Sequence, residues 1–227
     1  WEQGSSAIKE ALKDYETEYE AMFERQAAKA AQPKTILPPD PKTIWMEGVG
    51  LLGLGSNFKA ASIAGDLVVQ NARVRSVGED AGGFYPISEK DLFDCEYWSL
   101  EQAKLGKGKA PAFQGKVVMV TGGSGTIGFE TAKAFASLGA QCFLIDLNQE
   151  NLNAAIEKLG KGHFGKALDV TNPKAATEAI TSVIEAYGGL DILVSNAGSA
   201  QSGSMIDMTS SSVRKAFELN FFSHYEF

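Results

Sequence analysis

The second half of this 227-residue chain predicts an α/β fold: a parallel sheet of about four strands with helices on both faces. Three observations carry that expectation. Short continuous apolar runs rich in β-branched residues alternate with helical patterns of roughly 10–15 residues. Strands in such an alternation are buried on both faces and pair in parallel. A glycine-rich turn, Thr121-Gly122-Gly123-Ser124-Gly125-Thr126-Ile127-Gly128, stands between the first run and the first helix.

The elements follow in order. Residues 116–120 (Lys-Val-Val-Met-Val) form the first strand, and 127–138 the first helix, with Ile127, Thr131, Phe135 and Leu138 on one face. A second strand covers 141–145 and a second helix 149–159. A third strand covers 163–168 and ends at Asp169; a third helix covers 173–187. The fourth strand is 191–195 and the fourth helix 209–224. No repeat beyond this alternation is visible.

The first half reads as mainly helical. Ala7, Ala11, Tyr15, Tyr19, Met22 and Phe23 recur at helical spacing within 1–31, and Pro33, Pro38, Pro39 and Pro41 end that helix. A short strand at 43–46 leads into Gly48-Val49-Gly50-Leu51-Leu52-Gly53-Leu54-Gly55. A helix over 57–74, a loop-rich stretch over 79–95 and a short helix within 97–105 complete this half. The run Gly106-Lys107-Gly108-Lys109-Ala110-Pro111 is a solvated linker, placing the domain boundary between 1–110 and 111–227.

Composition narrows the function. The net charge is −7 and no basic cluster could follow a phosphate backbone, so nucleic acid is not an expected partner. No apolar run approaches the roughly 18 residues of a membrane span, and no signal peptide opens the chain. Cys95 and Cys142 lack metal-ligand spacing, as do His163 and His224, so no metal site is expected. Cys142 lies in an apolar run and should pack as a small hydrophobe. The composition fits a reducing, cytoplasmic compartment. Both ends read as cut: the chain does not open on Met and closes on an apolar helical stretch without a cap.

The glycine-rich turn carries the chemistry. Gly122 permits the tight turn, Gly125 lets the backbone approach a pyrophosphate, and Gly128 lets helix and strand pack closely. The helix N-terminus then offers free amides and a positive dipole end to phosphates. Asp146, about 20 residues on at the end of the second strand, suits the adenosine ribose hydroxyls. A carboxylate there repels a 2′-phosphate, so NAD is expected over NADP. Gly48, Gly50 and Gly53 spell the same G-x-G-x-x-G pattern, but no acid-ended strand follows at the right distance. They read as a close-packed turn between a strand and a helix.

Thr121-Gly-x-x-Gly-x-x-Gly128, Asp146, Asp169-Val170 and Asn196-Ala197-Gly198 together resemble the short-chain dehydrogenase/reductase family, over residues 115–227. The resemblance implies a Rossmann-type fold and a role for each residue. Ser124, Thr126 and Ile127 would line the pyrophosphate. Asp169 and Val170 would flank the adenine, and Asn196, Ala197 and Gly198 would lie along the ribose. Asn220 matches the family's helix asparagine, which supports a water-linked proton relay. The alternative for Asn220 is a helix-kinking or surface asparagine. The family's Tyr-x-x-x-Lys pair occurs nowhere in this sequence, so the chain by itself is expected to be inactive.

Residues 1–110 resemble the junction region of the bifunctional class II aldolase/short-chain dehydrogenase proteins of the rhamnulose-1-phosphate aldolase/alcohol dehydrogenase type. The residues that carry this likeness are Asp91-Leu92-Phe93-Asp94-Cys95-Glu96-Tyr97-Trp98-Ser99-Leu100-Glu101-Gln102-Ala103-Lys104-Leu105, preceded by the Gly48–Gly55 turn. That resemblance implies an NAD-dependent oxidoreductase acting on a small alcohol or aldehyde, fused to a sugar-phosphate aldolase and homo-oligomeric at full length. Two alternatives stand beside it: a non-catalytic NAD(H)-binding module, and an assembly role for the N-terminal half.

Overall fold

The computed structural model describes residues 2–103, 110–200, 202–204 and 206–227. The chain divides into two compact units, residues 1–55 with 60–109, and 56–59 with 110–227. Among the described residues, no helix is long and apolar enough to cross a membrane.

The first unit holds α1 (Glu2–Ala27), the antiparallel hairpin β1 (Thr43–Met46) and β2 (Gly50–Gly53), and most of α2 (Phe58–Asp80). The short helices α3 (Glu89–Glu96) and α4 (Ser99–Gln102) complete it. Its core is small: Met22, Phe93 and Tyr97, with Tyr19 and Phe23 packed against them. The Tyr19 and Tyr97 hydroxyls meet at 2.6 Å, and Tyr19 also donates to Glu96. Arg25 and Gln26 donate to Glu89, whose carboxyl these bonds hold down to about 2.

Several expectations change here. The Gly48–Gly55 stretch is not a strand-to-helix turn but the turn and second strand of a hairpin, with Met46 paired to Gly50. The close packing sits at its far end, where a side chain on Gly53 would come within 2.3 Å of the Gly65 amide on α2. Within 79–95, α3 replaces the expected loop. Ser88 caps it by accepting the Asp91 amide, and the Ser-x-x-Asp capping pattern was its sequence signal. The first helix stops at Ala27, and α2 runs on to Asp80 because no proline or cap ends it at Val74. Within 97–103 the expected helix is the single turn α4, and residues 104–109, which hold the end of that helix and most of the linker, lie outside the described residues.

The second unit is built on four parallel strands: β3 (Val117–Thr121), β4 (Gln141–Asp146), β5 (Phe164–Ala167) and β6 (Ile192–Val194). Their spatial order is β5-β4-β3-β6. The helices α5 (Thr126–Ser137), α6 (Gln149–Leu159) and α7 (Ala175–Tyr187) alternate with them. Successive strand residues point to opposite faces. Val118, Val120, Cys142 and Leu144 pack with Ala132 of α5 and with Leu152 and Ala155 of α6. Val117, Met119, Phe143 and Ile145 pack with Ala179 and Val183 of α7. Both faces of the sheet are therefore covered, which explains the continuous apolar runs. Cys142 is fully buried, and burial pushes its thiol up to about 11.

The buried stripe of α5 is Gly128 and Ala132, not the face through Ile127 and Leu138, which are exposed. Close approach to the sheet requires small residues, and the larger side chains fall one position away. The chain closes on α8 (Ser210–Phe217), a π-helical turn over Glu218–Phe222, and α9 (Ser223–Glu226).

Between β3 and β6 the sheet order reverses direction along the sequence, and in such sheets the crevice beyond the strands' carboxyl ends is where ligands bind. Thr121 holds it in shape. Its buried hydroxyl accepts the backbone amides of Asn196, at 2.9 Å, and Ala197, at 3.0 Å. Thr121→Val leaves both amides without that acceptor and is expected to cost about 2 kcal/mol. Urea unfolding checks this, with Thr121→Ser, which keeps the oxygen, expected to lose less.

Candidate functional site

Beyond the carboxyl ends of β3, β4 and β6 lies a cleft of about 1030 Å³. Its floor is the glycine-rich turn. Gly122 has φ +64°, a left-handed conformation that favours glycine. A side chain there would meet the Ala197 Cα and the Asn196 Nδ2, each at 3.0 Å. A side chain on Gly128 would come within 2.2 Å of the Gly122 carbonyl oxygen. Gly125 differs. Its φ is −70°, and an added Cβ would meet only the Gly122 oxygen, at 3.3 Å. Gly122 and Gly128 are thus glycine because the protein approaches itself, whereas the exposed Gly125 leaves room on the cleft side.

Gly125 caps α5 without a side chain. The first amides of the helix have no intrahelical acceptor, and its dipole adds positive potential at the same place. Backbone donors and positive potential of this kind suit an anion.

Asp146 closes one side. Its Oδ2 accepts the Ser124 amide at 2.9 Å, and its Oδ1 accepts the Leu147 amide at 2.8 Å. Partial burial raises its pKa, but hydrogen bonds from Ser124, Leu147 and Asn148 outweigh that, and the carboxyl sits below its ordinary value. It is charged across the neutral range. A folded pKa below the unfolded value of 3.8 makes this brace stabilising above that value, and the contribution is lost as pH falls through the folded pKa. Oδ1 also takes the Asn148 amide at 3.5 Å, so a hydroxyl donor would approach Oδ2.

Asp169 folds back on its own loop, its Oδ1 accepting the Thr171 amide at 3.0 Å and the Thr171 hydroxyl at 2.7 Å. Asn196 donates from Nδ2 to the Thr121 carbonyl at 2.9 Å, tying the loop after β6 to the glycine turn.

The twelve residues expected to hold the cofactor all line this one cleft: Gly122, Ser124, Gly125, Thr126, Ile127, Gly128, Asp146, Asp169, Val170, Asn196, Ala197 and Gly198. Asn220 stands behind the wall. Its Oδ1 accepts the Ser199 amide at 2.9 Å and its Nδ2 donates to the Ser199 carbonyl at 2.8 Å. It sits in the π-helical turn, an irregularity that recurs at functional sites. His224 adds a second tie, its Nδ1 lying 2.5 Å from the Ser195 hydroxyl.

Sequence reasoning gave no task to Thr121, although it opens the motif, nor to Ser199 and Lys215, which also line the cleft. Thr121 had a signal in its fixed place at the strand end. Ser199 and Lys215 had none, since only the fold brings them there. Among the described residues no group of His, Cys, Asp and Glu is arranged to hold a metal ion.

Residues 116–227 match the short chain dehydrogenase family, and residues 1–105 match the second domain of class II aldolases. An uncharacterized oxidoreductase of Bacillus subtilis (strain 168), YuxG, is 32% identical over 209 residues, covering 89% of this chain and 30% of its own length. The chain thus spans about a third of that relative. Among solved structures, a short chain dehydrogenase from Mycobacterium smegmatis aligns with 31% identity and a TM-score of 0.49, over 52% of this chain and 51% of its own. A mutant actinorhodin polyketide ketoreductase with NADPH aligns with 26% identity and a TM-score of 0.47, over 49% of this chain and 44% of its own.

The glycine geometry makes a paired test. Gly128→Ala forces a backbone clash and is expected to destabilise the second unit by about 1–3 kcal/mol. Gly125→Ala should lower the thermal midpoint much less than Gly128→Ala yet weaken dinucleotide binding at least about tenfold, since its methyl would stand where the phosphate of the expected dinucleotide approaches. Thermal unfolding and a binding titration on both variants separate the two effects.

Proposed function

We propose, from the premise that residues 116–227 of this chain belong to the short-chain dehydrogenase family, that they form the NAD-binding half of an oxidoreductase. Proteins of this family bind nicotinamide cofactors. The reaction is hydride transfer between the cofactor and a small alcohol/carbonyl pair, joined in the whole protein to sugar-phosphate cleavage. One observation carries the reading. The glycine turn, the open N-terminus of α5 and the charged Asp146 face a single cleft at the sheet's switch point.

The chemistry divides between cofactor and protein. When bound, the nicotinamide supplies or accepts the hydride. The first amides of α5 hold the pyrophosphate, and Gly125 gives it room. Asp146 takes the ribose hydroxyls of the adenosine and repels a 2′-phosphate, which favours NAD over NADP. Asp169 and Val170 flank the adenine. Asn196 and Thr121 keep the ribose wall in register with the glycine turn. Asn220 fixes the Ser199 backbone at the far end of that wall, where the family's proton relay would pass.

The proton at the substrate oxygen needs a general acid/base, and this sequence carries no Tyr-x-x-x-Lys pair. Turnover by the 227-residue chain alone is therefore expected to be undetectable while NADH binding persists. Steady-state assays with short-chain alcohols and aldehydes, run beside an NADH titration, check this. Alcohol-dependent reduction of NAD by the chain alone would refute it.

The cofactor choice has its own test. NADH is expected to bind at least about tenfold more tightly than NADPH, a difference of about 1.4 kcal/mol. Because Asp146 also braces the turn, Asp146→Ala should weaken both ligands, so the ratio is the informative quantity. Fluorescence titration should show the NADH/NADPH preference collapsing toward unity in Asp146→Ala. An unchanged ratio would contradict the role given to the carboxylate.

A further inference from the structure

The helix α2 (Phe58–Asp80) buries only Ala64 and Val68. A second apolar stripe lies roughly 120° around the helix from that pair. Ile63, Leu67, Val74 and Val77 are 50%, 63%, 51% and 66% exposed. With the exposed Gln70 they step by four, three, four and three residues, the seven-residue rhythm of a coiled-coil seam. In heptad notation, Leu67 and Val74 occupy a positions, and Ile63, Gln70 and Val77 occupy d positions.

The flanking charges say what this seam fits. The g positions are Lys59, Asp66, Arg73 and Asp80, alternating in sign, and the described residues show no ion pair for any of them. The e positions within the helix, Ala64, Asn71 and Gly78, are uncharged. In a parallel helix pair, g residues face e residues, so these charges would find no partner. In an antiparallel pair, g faces g.

We infer that α2 is a self-association surface, and that its occupant is α2 of a second copy of this chain, packed antiparallel about a two-fold axis near Gln70. In that register Ile63 packs against Val74 of the other copy and Leu67 against Gln70, in each direction. Asp66 then faces Arg73 of the second copy, and Lys59 faces Asp80, each pair occurring twice. Sliding the pair by one heptad either way sets Asp66 against Asp66 and Lys59 against Arg73, or Arg73 against Arg73 and Asp66 against Asp80. Both slipped registers are repulsive at every g contact. The charge order therefore selects one antiparallel register and opposes its neighbours. Gln70 adds a polar seam position of the kind that specifies register at some cost in stability. The surface is self-complementary, as a two-fold interface requires.

Sedimentation equilibrium of the full 227-residue chain at low ionic strength tests this, because exposed ion pairs are screened by salt. The mass is expected to rise from 24.2 kDa toward twice that value with concentration. Asp66→Arg alone, or Arg73→Asp alone, turns two attractive contacts into two repulsive ones and should weaken the dimer about tenfold. An equimolar mixture of these two variants should associate again, and the double variant Asp66→Arg/Arg73→Asp should regain the original affinity. General damage to the helix would not be repaired by mixing. A mass that stays at 24.2 kDa at every concentration overturns the inference, as would follow if a different protein segment covers the stripe. Dimerisation that both single reversals leave unchanged also overturns it, since the interface would then lie elsewhere.

Discussion

The cleft depends on one staple: Thr121 and Asn196, 75 residues apart, hydrogen-bonded at the ends of adjacent parallel strands. The Thr121 hydroxyl takes the amides of Asn196 and Ala197, and the Asn196 amide returns a bond to the Thr121 carbonyl. Parallel strands pair only along their length, so the chain leaving β3 and the chain leaving β6 would otherwise part freely. The staple holds the glycine turn and the loop after β6 as two walls of one crevice. The glycines follow from this arrangement. Gly122 faces Ala197 and Asn196 across the junction, and Gly128 sits under the Gly122 carbonyl.

The electrostatics rest on the same turn. Asp146 receives the Ser124 amide, so one carboxylate both shapes the turn and sets its local charge. The helix end offers positive potential to phosphates, and on the proposed reading the acid bonded to the Ser124 amide would repel an additional one on the ribose. To bind two phosphates and refuse a third, as proposed, a site needs both signs held in fixed geometry. The hydrogen bonds that depress the Asp146 pKa also supply that fixing. At the far end, Asn220 and His224 tie the wall to the last helix, where the π-helical turn places Asn220 against both polar atoms of the Ser199 backbone.

Much of this could be read in the sequence, for a physical reason. Strands buried on both faces write continuous apolar runs, and the turn's needs for close approach leave glycines at fixed places. The alternation of strands and helices over 116–187 and the places of Gly122, Gly125 and Gly128 followed from those two signals; Asp146 came from its position at a strand end, and Ser124, Thr126, Ile127, Asp169, Val170 and Asn196 to Gly198 came from the family resemblance. What escaped depends on packing rather than local chemistry. The buried stripe of α5 is the small pair Gly128 and Ala132, which an apolar periodicity passes over in favour of Ile127 and Leu138. The Gly48–Gly53 stretch forms a hairpin because β1 finds its partner strand in it, and a glycine pattern does not announce pairing. The π-helical turn has no composition signal, and Asn220's bonds to Ser199 appear only in three dimensions.

A crystal structure of the chain grown with NADH tests the central claim most directly. The pyrophosphate is expected within hydrogen-bonding distance of the first amides of α5, above Gly125, with the adenosine ribose hydroxyls on Asp146 and the adenine beside Val170. A dinucleotide seated on the Gly48–Gly53 hairpin, or one in the cleft with its ribose turned away from Asp146, would contradict it.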